Sequence, residues 1–266
     1  MSSEVETSLE ISGSRKIQSF LDSGRNDTAE QTTRTTRTLF SDLTVHDDLS
    51  PHSAAMNMAV DEALLETTTA PTIRFYRWRF PALSFGYFGK FPDVAIYATE
   101  RDIVRRWTGG GVVFHGDDLT YSIVIPASDP VFSESSIVIY EEIHRALCRA
   151  LAGHNQGAQL VTVATLNHRR TGDRCSLDSE CFAKPVRADV MMNGRKIAGA
   201  AQRRTRCGLL QQGSIQGISL NIDLAGKFAQ ALSANCSEFE INEEVLQRSR
   251  EVAQQKYGTE SWLRKR

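Results

Sequence analysis

The sequence predicts an α+β fold, and three kinds of pattern lead to that prediction. Residues 53–64 and 136–152 carry apolar side chains at intervals of three and four, the spacing of an amphipathic helix. Residues 72–78 and 118–125 are rich in β-branched and aromatic side chains, which favours strands. Residues 188–202 contain an apolar run, an Asn-Gly dipeptide and a second run, which together predict a β-hairpin.

Composition narrows the class of protein. With 266 residues, 41% of them hydrophobic, the chain can bury a sizeable core. Lys plus Arg (31) nearly balances Asp plus Glu (32), so no bulk attraction to nucleic acid or to an anionic membrane is expected. No apolar run approaches the roughly 20 residues that a membrane span needs, and no secretory signal is present. Five cysteines without a CxxC pair indicate reduced thiols and a cytoplasmic protein, rather than disulfides or a zinc site.

The chain divides into a polar extension and one domain. Residues 1–36 are rich in polar and charged side chains and predict a disordered N-terminal extension. Residues 37–266 are then expected to form a single domain. Its first helix begins after Ser53, a suitable N-cap. The polar residues off its apolar stripe are predicted to be solvated or to bond to local backbone; they are Asn57, Asp61 and Glu62.

The rest of the domain is predicted as further short elements. Residues 81–88 read as a strand in which Gly86 allows a close contact, and residues 94–100 as a short helix. Additional strands are predicted near residues 160–164 and 218–222, separated by a polar surface loop at 167–180. Short helices follow Leu224, the last of them at residues 243–257.

Residues 105–115, RRWTGGGVVFH, combine two arginines with three consecutive glycines. Such a loop can present backbone N–H groups to an anion while guanidinium groups supply charge. A phosphate, an adenylate or the tail of a phosphopantetheine arm would suit it. The spacing is not that of a P-loop or of a dinucleotide-binding turn. A three-glycine run also fits a merely flexible loop.

The hairpin at residues 188–202 places Arg195 and Lys196 beside its turn, followed by a run of very small residues, AGAA. Small side chains let a ligand approach the backbone closely, and a lysine beside them can polarise an acyl or phosphate oxygen. Taken alone, the pattern also fits a hairpin whose lysine points into solvent.

Five stretches, taken together, resemble one family. They are MNMAVDEALLE, PTIRFYRWRFPALSFGYF, RRWTGGGVVFHGDDLTYSIVIP, CFAKP and NGRKIAGAAQRR followed by GLLQQGSI. In this order they are similar to the lipoate–protein ligase A and octanoyltransferase family, relatives of biotin–protein ligase. The resemblance implies a mixed β-sheet with helices packed mainly on one side. It also implies an enzyme that acylates a lysine of lipoyl domains or of the glycine-cleavage H protein.

Two chemistries occur in this family. Ligases activate a free acid with ATP and Mg²⁺ as an adenylate, whereas transferases take octanoyl from acyl carrier protein through a cysteine and need no cofactor. The position of Cys181 fifteen residues before Lys196 resembles the cysteine octanoyltransferase branch. An ATP-dependent lipoate ligase and a non-catalytic relative that binds acyl chains or lipoyl domains remain the alternatives.

The resemblance assigns Cys181 and Lys196 as catalytic and assigns no metal. The residues that it expects to bind substrate are Arg105, Arg106, Thr108, Gly109, Gly110, Gly111, His115, Gly199 and Ala200. Cys175, in the same polar loop as Cys181, is a second thiol without the CF motif. One departure concerns Gln212, where relatives commonly carry histidine. A glutamine hydrogen-bonds but does not titrate, so an acid–base role at this position is in doubt.

Overall fold

The computed structural model of the protein describes residues 38–152, 157–162, 185–218 and 223–265. The predicted extension at residues 1–36 and the predicted loop at 167–180 lie outside the described residues. So do Cys175, Cys181 and most of the strand predicted at residues 218–222.

The described residues contain two β-sheets. Their strands are β1 (Leu43–His52), β2 (Thr72–Trp78), β3 (Ala82–Phe85), β4 (Asp102–Arg105), β5 (Val112–His115), β6 (Leu119–Pro126), β7 (Gln159–Leu160), β8 (Val190–Met192), β9 (Arg195–Arg204), β10 (Gly208–Ile215) and β11 (Cys236–Glu238). The large sheet has the order β11-β1-β2-β6-β10-β9-β8-β7, and the small sheet has the order β4-β3-β5. Parallel pairs join β11, β1 and β2, whereas the other neighbours in the large sheet are antiparallel. The sheet is therefore mixed, as the resemblance implies.

The helices of the described residues are α1 (Ala54–Thr67), α2 (Ser136–Leu151), α3 (Leu224–Leu232), α4 (Glu243–Val252) and α5 (Glu260–Leu263). A π-helical turn, Ala253–Tyr257, continues α4, so that the helix predicted at residues 243–257 is present and is followed by one more short helix. Residues 94–100 form only a 3₁₀ turn at Ala95–Tyr97. These elements, with the two sheets, confirm the predicted α+β class.

Helices cover both faces of the large sheet. On one face, α2 and α3 pack against alternate residues of β6, among them Tyr121 and Ile123. On the other face, Val124 and Leu210 pack against α1. The resemblance implied packing mainly on one side. Helices occupy both sides because the central strand β6 has apolar side chains on each face, such as Ile123 on one and Val124 on the other, and both must be covered.

The polar residues of α1 correct a prediction. Ser53 caps the helix as expected, accepting a hydrogen bond from the Met56 N–H. Asn57, Asp61 and Glu62, however, are buried rather than solvated. The helix is enclosed by the large sheet, by the small sheet and by α4, so solvent reaches mainly its last turn. Its polar side chains bond to distant groups instead, such as the Arg77 carbonyl, which accepts from Asn57.

The predicted hairpin is present. Its turn residues Asn193 and Gly194 have φ angles of 50° and 74°, the left-handed pair that a two-residue β-turn requires. Gly86 also has its predicted role, since a Cβ built there would lie 2.0 Å from the Gly110 carbonyl oxygen. Within the described ranges, none of the helices has the length and apolar content that a membrane crossing needs.

Candidate active site

A cavity of about 150 Å³ lies between the large sheet and the small sheet. Apolar side chains form part of its wall; they are Met58, Tyr76, Trp78, Val112, Val113 and Val186. The cavity also brings together most of the residues that the sequence singled out, namely Arg106, Gly110, Gly111, His115, Lys196, Gly199 and Ala200. Arg105, Thr108 and Gly109 are absent from the lining. Cys181 lies outside the described residues, so its distance from the cavity is not defined.

Lys196 enters the cavity from the start of β9 and is held by a buried carboxylate. Its Nζ lies 2.8 Å from Asp189 Oδ2. Asp189 is fully buried and also accepts hydrogen bonds from the Tyr140 hydroxyl at 2.6 Å and from the Val186 N–H at 2.7 Å. The lysine is therefore a positioned cation rather than a solvated side chain.

Gly199 makes room for that lysine. A Cβ at this position would lie 2.6 Å from both Cε and Nζ of Lys196 and 3.2 Å from Asp189 Oδ1. Any larger residue would displace the ammonium group. A glycine at position 199 therefore leaves the space that the Lys196 side chain occupies. Beside it, the Ala200 N–H donates to the Tyr140 hydroxyl at 3.0 Å.

Arg106 is the second cation of the cavity. Its guanidinium donates to Ser84 Oγ at 2.6 Å and to the carbonyls of Gly109 at 3.1 Å and Gly111 at 2.8 Å. Burial lowers its pKa to about 10, which leaves the group charged at neutral pH. Among the described residues, no carboxylate lies within salt-bridge distance of it. The glycine loop therefore turns carbonyl oxygens, rather than N–H groups, towards this arginine.

Arg105 points the other way, although it is the adjacent residue. Its guanidinium donates to five backbone carbonyls, those of Tyr87, Gly89, Trp262, Leu263 and Lys265. These bonds connect the small sheet to the C-terminal helix. Arg105 ends β4, and the N–H of Arg106, the next residue, still bonds to the Phe85 carbonyl at 2.8 Å. The two side chains therefore leave an extended backbone on opposite sides.

His115 belongs to a hydrogen-bonded chain inside the cavity. Its Nε2 lies 2.7 Å from Ser84 Oγ, and its Nδ1 lies 2.7 Å from Asp118 Oδ2. The ring stacks on Trp78 with centroids 4.1 Å apart and an interplanar angle of 22°. Burial lowers the pKa of His115 despite the neighbouring carboxylate, so the imidazole is neutral at pH 7.

Gln212, the departure from the family pattern, holds a position between the cavity and α1. It donates to Asp61 Oδ2 at 2.7 Å and accepts from the Thr108 hydroxyl at 2.8 Å. Thr108 itself is fully buried behind the cavity wall. The amide thus connects the glycine loop to the buried polar network of α1, a structural role that needs no titration.

Sequence reasoning missed several polar residues of this site, among them Ser84, Asp118, Tyr140 and Asp189. Asp118 follows His115 by three residues, a spacing that could have suggested the pair. Ser84 lies within an apolar strand, Tyr140 on an amphipathic helix and Asp189 at the beginning of the predicted hairpin, and none of these contexts indicates chemistry. Within the described part of the chain, no three metal-ligating side chains come together, so no metal centre is assigned there.

Solved structures of lipoate protein ligases share this fold. The crystal structure of lipoate-protein ligase A bound with ATP superposes with a TM-score of 0.63 at 22% identity, covering 84% of this chain and 98% of that one. A bipartite lipoate protein ligase from Thermoplasma acidophilum superposes with a TM-score of 0.61 at 20% identity, covering 84% and 96%. The domain therefore has the fold of the lipoate protein ligases, built around a cavity that contains two cationic side chains.

Sequence comparison identifies the family. The model of the lipoyl protein ligase A/B catalytic domain matches residues 53–252, and the chain belongs to this family. It is 38% identical over 183 residues to the octanoyltransferase LipM of Oceanobacillus iheyensis, covering 66% of this chain and 64% of that protein. It is 37% identical over 175 residues to the octanoyltransferase LipM of Clostridioides difficile, covering 62% of each. The chain thus matches a little less than two thirds of the length of these relatives.

Proposed function

We propose that this protein is an octanoyltransferase. It moves an octanoyl or lipoyl group from acyl carrier protein to a specific lysine of a lipoyl domain or of the glycine-cleavage H protein. The observation that carries the proposal is the cavity in which Lys196 and Arg106 stand beside the small-residue strand at residues 199–201. Similarity to proteins named octanoyltransferase supports transfer over ATP-dependent ligation.

The cavity suits an acyl chain with a polar head. Gly199, Ala200 and Ala201 leave space along β9, and the side chains of Trp78 and Val113 supply apolar contacts. Each methylene removed from water contributes about 0.8 kcal/mol to binding. The ammonium of Lys196 can donate to the carbonyl oxygen of the thioester, which develops negative charge when a nucleophile attacks.

In the proposed mechanism, Cys181 is the nucleophile and Lys196 assists it. The Cys181 thiolate attacks the octanoyl carbonyl, the bond to the carrier sulfur breaks, and the carrier leaves as its thiolate. The amine of the acceptor lysine then attacks the new thioester and regenerates the cysteine. The first step exchanges one thioester for another and needs no ATP, whereas the second forms an amide and is downhill.

An assay with apo acceptor protein tests the function. One mixture contains octanoyl carrier protein without ATP, and the other contains free lipoate or octanoate with ATP and Mg²⁺. Modification of the acceptor in the first mixture is the expected result. Modification only in the second mixture would assign the protein to the ATP-dependent ligases, and modification in neither would favour a non-catalytic binding protein.

Mass spectrometry of the intact protein after incubation with octanoyl carrier protein tests the cysteine. We expect an octanoyl adduct that Cys181→Ser abolishes and that Cys175→Ser, its matched control, retains. An adduct on Cys175, or rapid ATP-free transfer by Cys181→Ser, would remove Cys181 from the mechanism.

Lys196→Ala tests whether the ammonium group of Lys196 assists the cysteine. The variant should slow thioester formation, and a higher pH should partly restore the rate if the ammonium acts by favouring the thiolate. Arg195→Ala is the matched control, because Arg195 belongs to the same turn but is exposed and absent from the cavity lining. Equal rates for the two variants would contradict the role of Lys196.

A further inference from the structure

Three side chains, two of them on the cavity wall, have the connectivity of a nucleophilic triad. Ser84 Oγ lies 2.7 Å from His115 Nε2, and His115 Nδ1 lies 2.7 Å from Asp118 Oδ2. Ser84 and His115 both line the cavity, whereas Asp118 lies behind the imidazole. Triads of this kind are recognised by geometry and roles, whatever the order of the residues along the chain.

The surroundings fix the direction of the hydrogen bonds. Asp118 accepts from the Thr120 and Ser214 hydroxyls, each at 2.7 Å, and from the Gly116 N–H at 3.1 Å. Burial alone would raise the pKa of Asp118, but His115 and the hydroxyl donors lower it to about 2, so the group is a carboxylate. His115 Nδ1 must then carry the proton that Asp118 accepts. Its Nε2 is left as the acceptor for the Ser84 hydroxyl.

Arg106 completes the arrangement from the other side of Ser84. Its Nη1 donates to Ser84 Oγ at 2.6 Å. If the serine proton moves to His115, charges along the chain alternate: guanidinium, alkoxide, imidazolium, carboxylate. Each new charge then lies next to an opposite one in a buried site, where such pairs interact more strongly than in water. The chain therefore stabilises the ionised serine that a nucleophile requires.

We propose that Ser84 is a second acyl acceptor of this cavity, activated by His115 and Asp118, and that it gives the protein a serine thioesterase activity on medium-chain acyl thioesters. Ser84 Oγ attacks the thioester carbonyl while its proton passes to His115 Nε2. The carbon–sulfur bond breaks, and the leaving thiolate takes that proton. A water molecule then attacks the ester and gives its proton to His115. The carbon–oxygen bond breaks, the serine regains its proton, and the free acid leaves.

This proposal rests on the proposed function in one respect, the entry of an acyl donor into the cavity, and its test avoids the acceptor protein. The full-length protein carrying Cys181→Ala is incubated with a small fluorophosphonate, and the adduct is mapped by peptide mass spectrometry. We expect an adduct on Ser84. His115→Gln should slow its formation by about 100-fold, the usual contribution of a general base.

Ser122→Ala is the matched control for the labelling. Ser122 is as buried as Ser84, but its hydroxyl donates to a carboxylate, Asp61, rather than to a histidine, and it is absent from the cavity lining. The Ser122→Ala variant should label at the rate of the parent protein. The same proteins should hydrolyse octanoyl thioester to octanoate in proportion to their labelling.

Ser84→Ala should form no adduct at all, and Ser84→Cys is a second variant for the case in which Ser84→Ala fails to fold. Its thiol should be alkylated by iodoacetamide at a rate that falls when His115 is replaced by glutamine. Absence of an adduct on Ser84, an adduct on another serine, or rates independent of His115 would overturn the proposal. Transfer to the acceptor without Ser84 labelling would refute only the triad. Ser84 labelling without transfer would refute only the proposed transferase.

Discussion

Arg74 and Arg106 are both buried arginines, but their surroundings are different. All five N–H groups of Arg74 are used: they donate to Asp48, to Asp61 and to the side-chain and backbone oxygens of Asn57. Arg106 bonds to one hydroxyl and two carbonyls, and no described carboxylate pairs with it. Arg74 closes a network between β1, β2 and α1, whereas Arg106 leaves its charge available to the cavity.

This difference distinguishes a residue that holds the fold together, Arg74, from a residue of the proposed active site, Arg106. A buried arginine balanced by two carboxylates has no remaining capacity for a ligand, so its removal should affect folding. A buried arginine stabilised only by neutral oxygens can still interact with the developing charge of a reacting acyl group. Comparison of variants at the two positions therefore tests the assignment of the cavity as the active site.

The largest effect is expected for Arg74→Met. Asp48 and Asp61 would stay buried without their cation, and breaking such a pair typically reduces the free energy of unfolding by about 3–5 kcal/mol. Urea denaturation at pH 7 measures this loss in the free energy of unfolding. Arg77→Met is the control, because Arg77 is on the same strand but exposed. A loss below about 1 kcal/mol would mean that the network is not part of the framework.

Arg106→Met should give the opposite pattern. Removing one donor to a developing oxyanion commonly slows the reaction by about 100-fold, so octanoyl transfer should decrease by that order. The free energy of unfolding should change less than in Arg74→Met, because no described carboxylate loses its partner. Arg250→Met, on the exposed surface of α4, is the control for transfer. If Arg106→Met transfers octanoyl at the normal rate, the glycine loop has a structural role and takes no part in the reaction.

A smaller effect on the framework should appear at low pH. Burial alone would raise the pKa of Asp48, but His52 and Arg74 lower it to about 2, below the ordinary value of 3.8. Its contribution is therefore fully present above about pH 4 and is lost as the pH falls through 2; it amounts to about 2 kcal/mol. Asp48→Asn should lack this part of the acid dependence. Parallel curves of stability against pH for the two proteins would contradict the assignment.

The smallest effect is expected for Arg105→Met. Its five carbonyl partners can bond to water instead, so the loss of stability should be about 2 kcal/mol or less. Hydrogen exchange should increase at residues 260–265, which the arginine holds against the small sheet. Transfer should stay near the normal rate. A large defect in donor binding, without faster hydrogen exchange at residues 260–265, would instead show that Arg105 binds substrate, as the sequence suggested.

Local patterns predicted the elements of this fold well. Asn193-Gly194 specifies its hairpin because the turn needs two residues with positive φ, and Ser53 specifies a helix start because its hydroxyl can bond to a free N–H. The polar residues of α1 were predicted wrongly for an equally physical reason. Helical periodicity identifies one apolar face but carries no information on whether other elements cover the opposite face, as β6, β10 and α4 do here.

The sequence by itself determined the α+β class, the order of its elements and the family, and it selected Lys196, Arg106 and His115 as residues of interest. Only the tertiary structure decided which of two adjacent arginines reaches the cavity, because that depends on strand pleating and on what lies against each face. It also decided that Ser84, His115 and Asp118 form one hydrogen-bonded chain. Ser84 is thirty-one residues from His115 along the chain, and the antiparallel pairing of β3 with β5 brings them into contact. Contacts between residues so far apart depend on strand register, which no local sequence pattern contains.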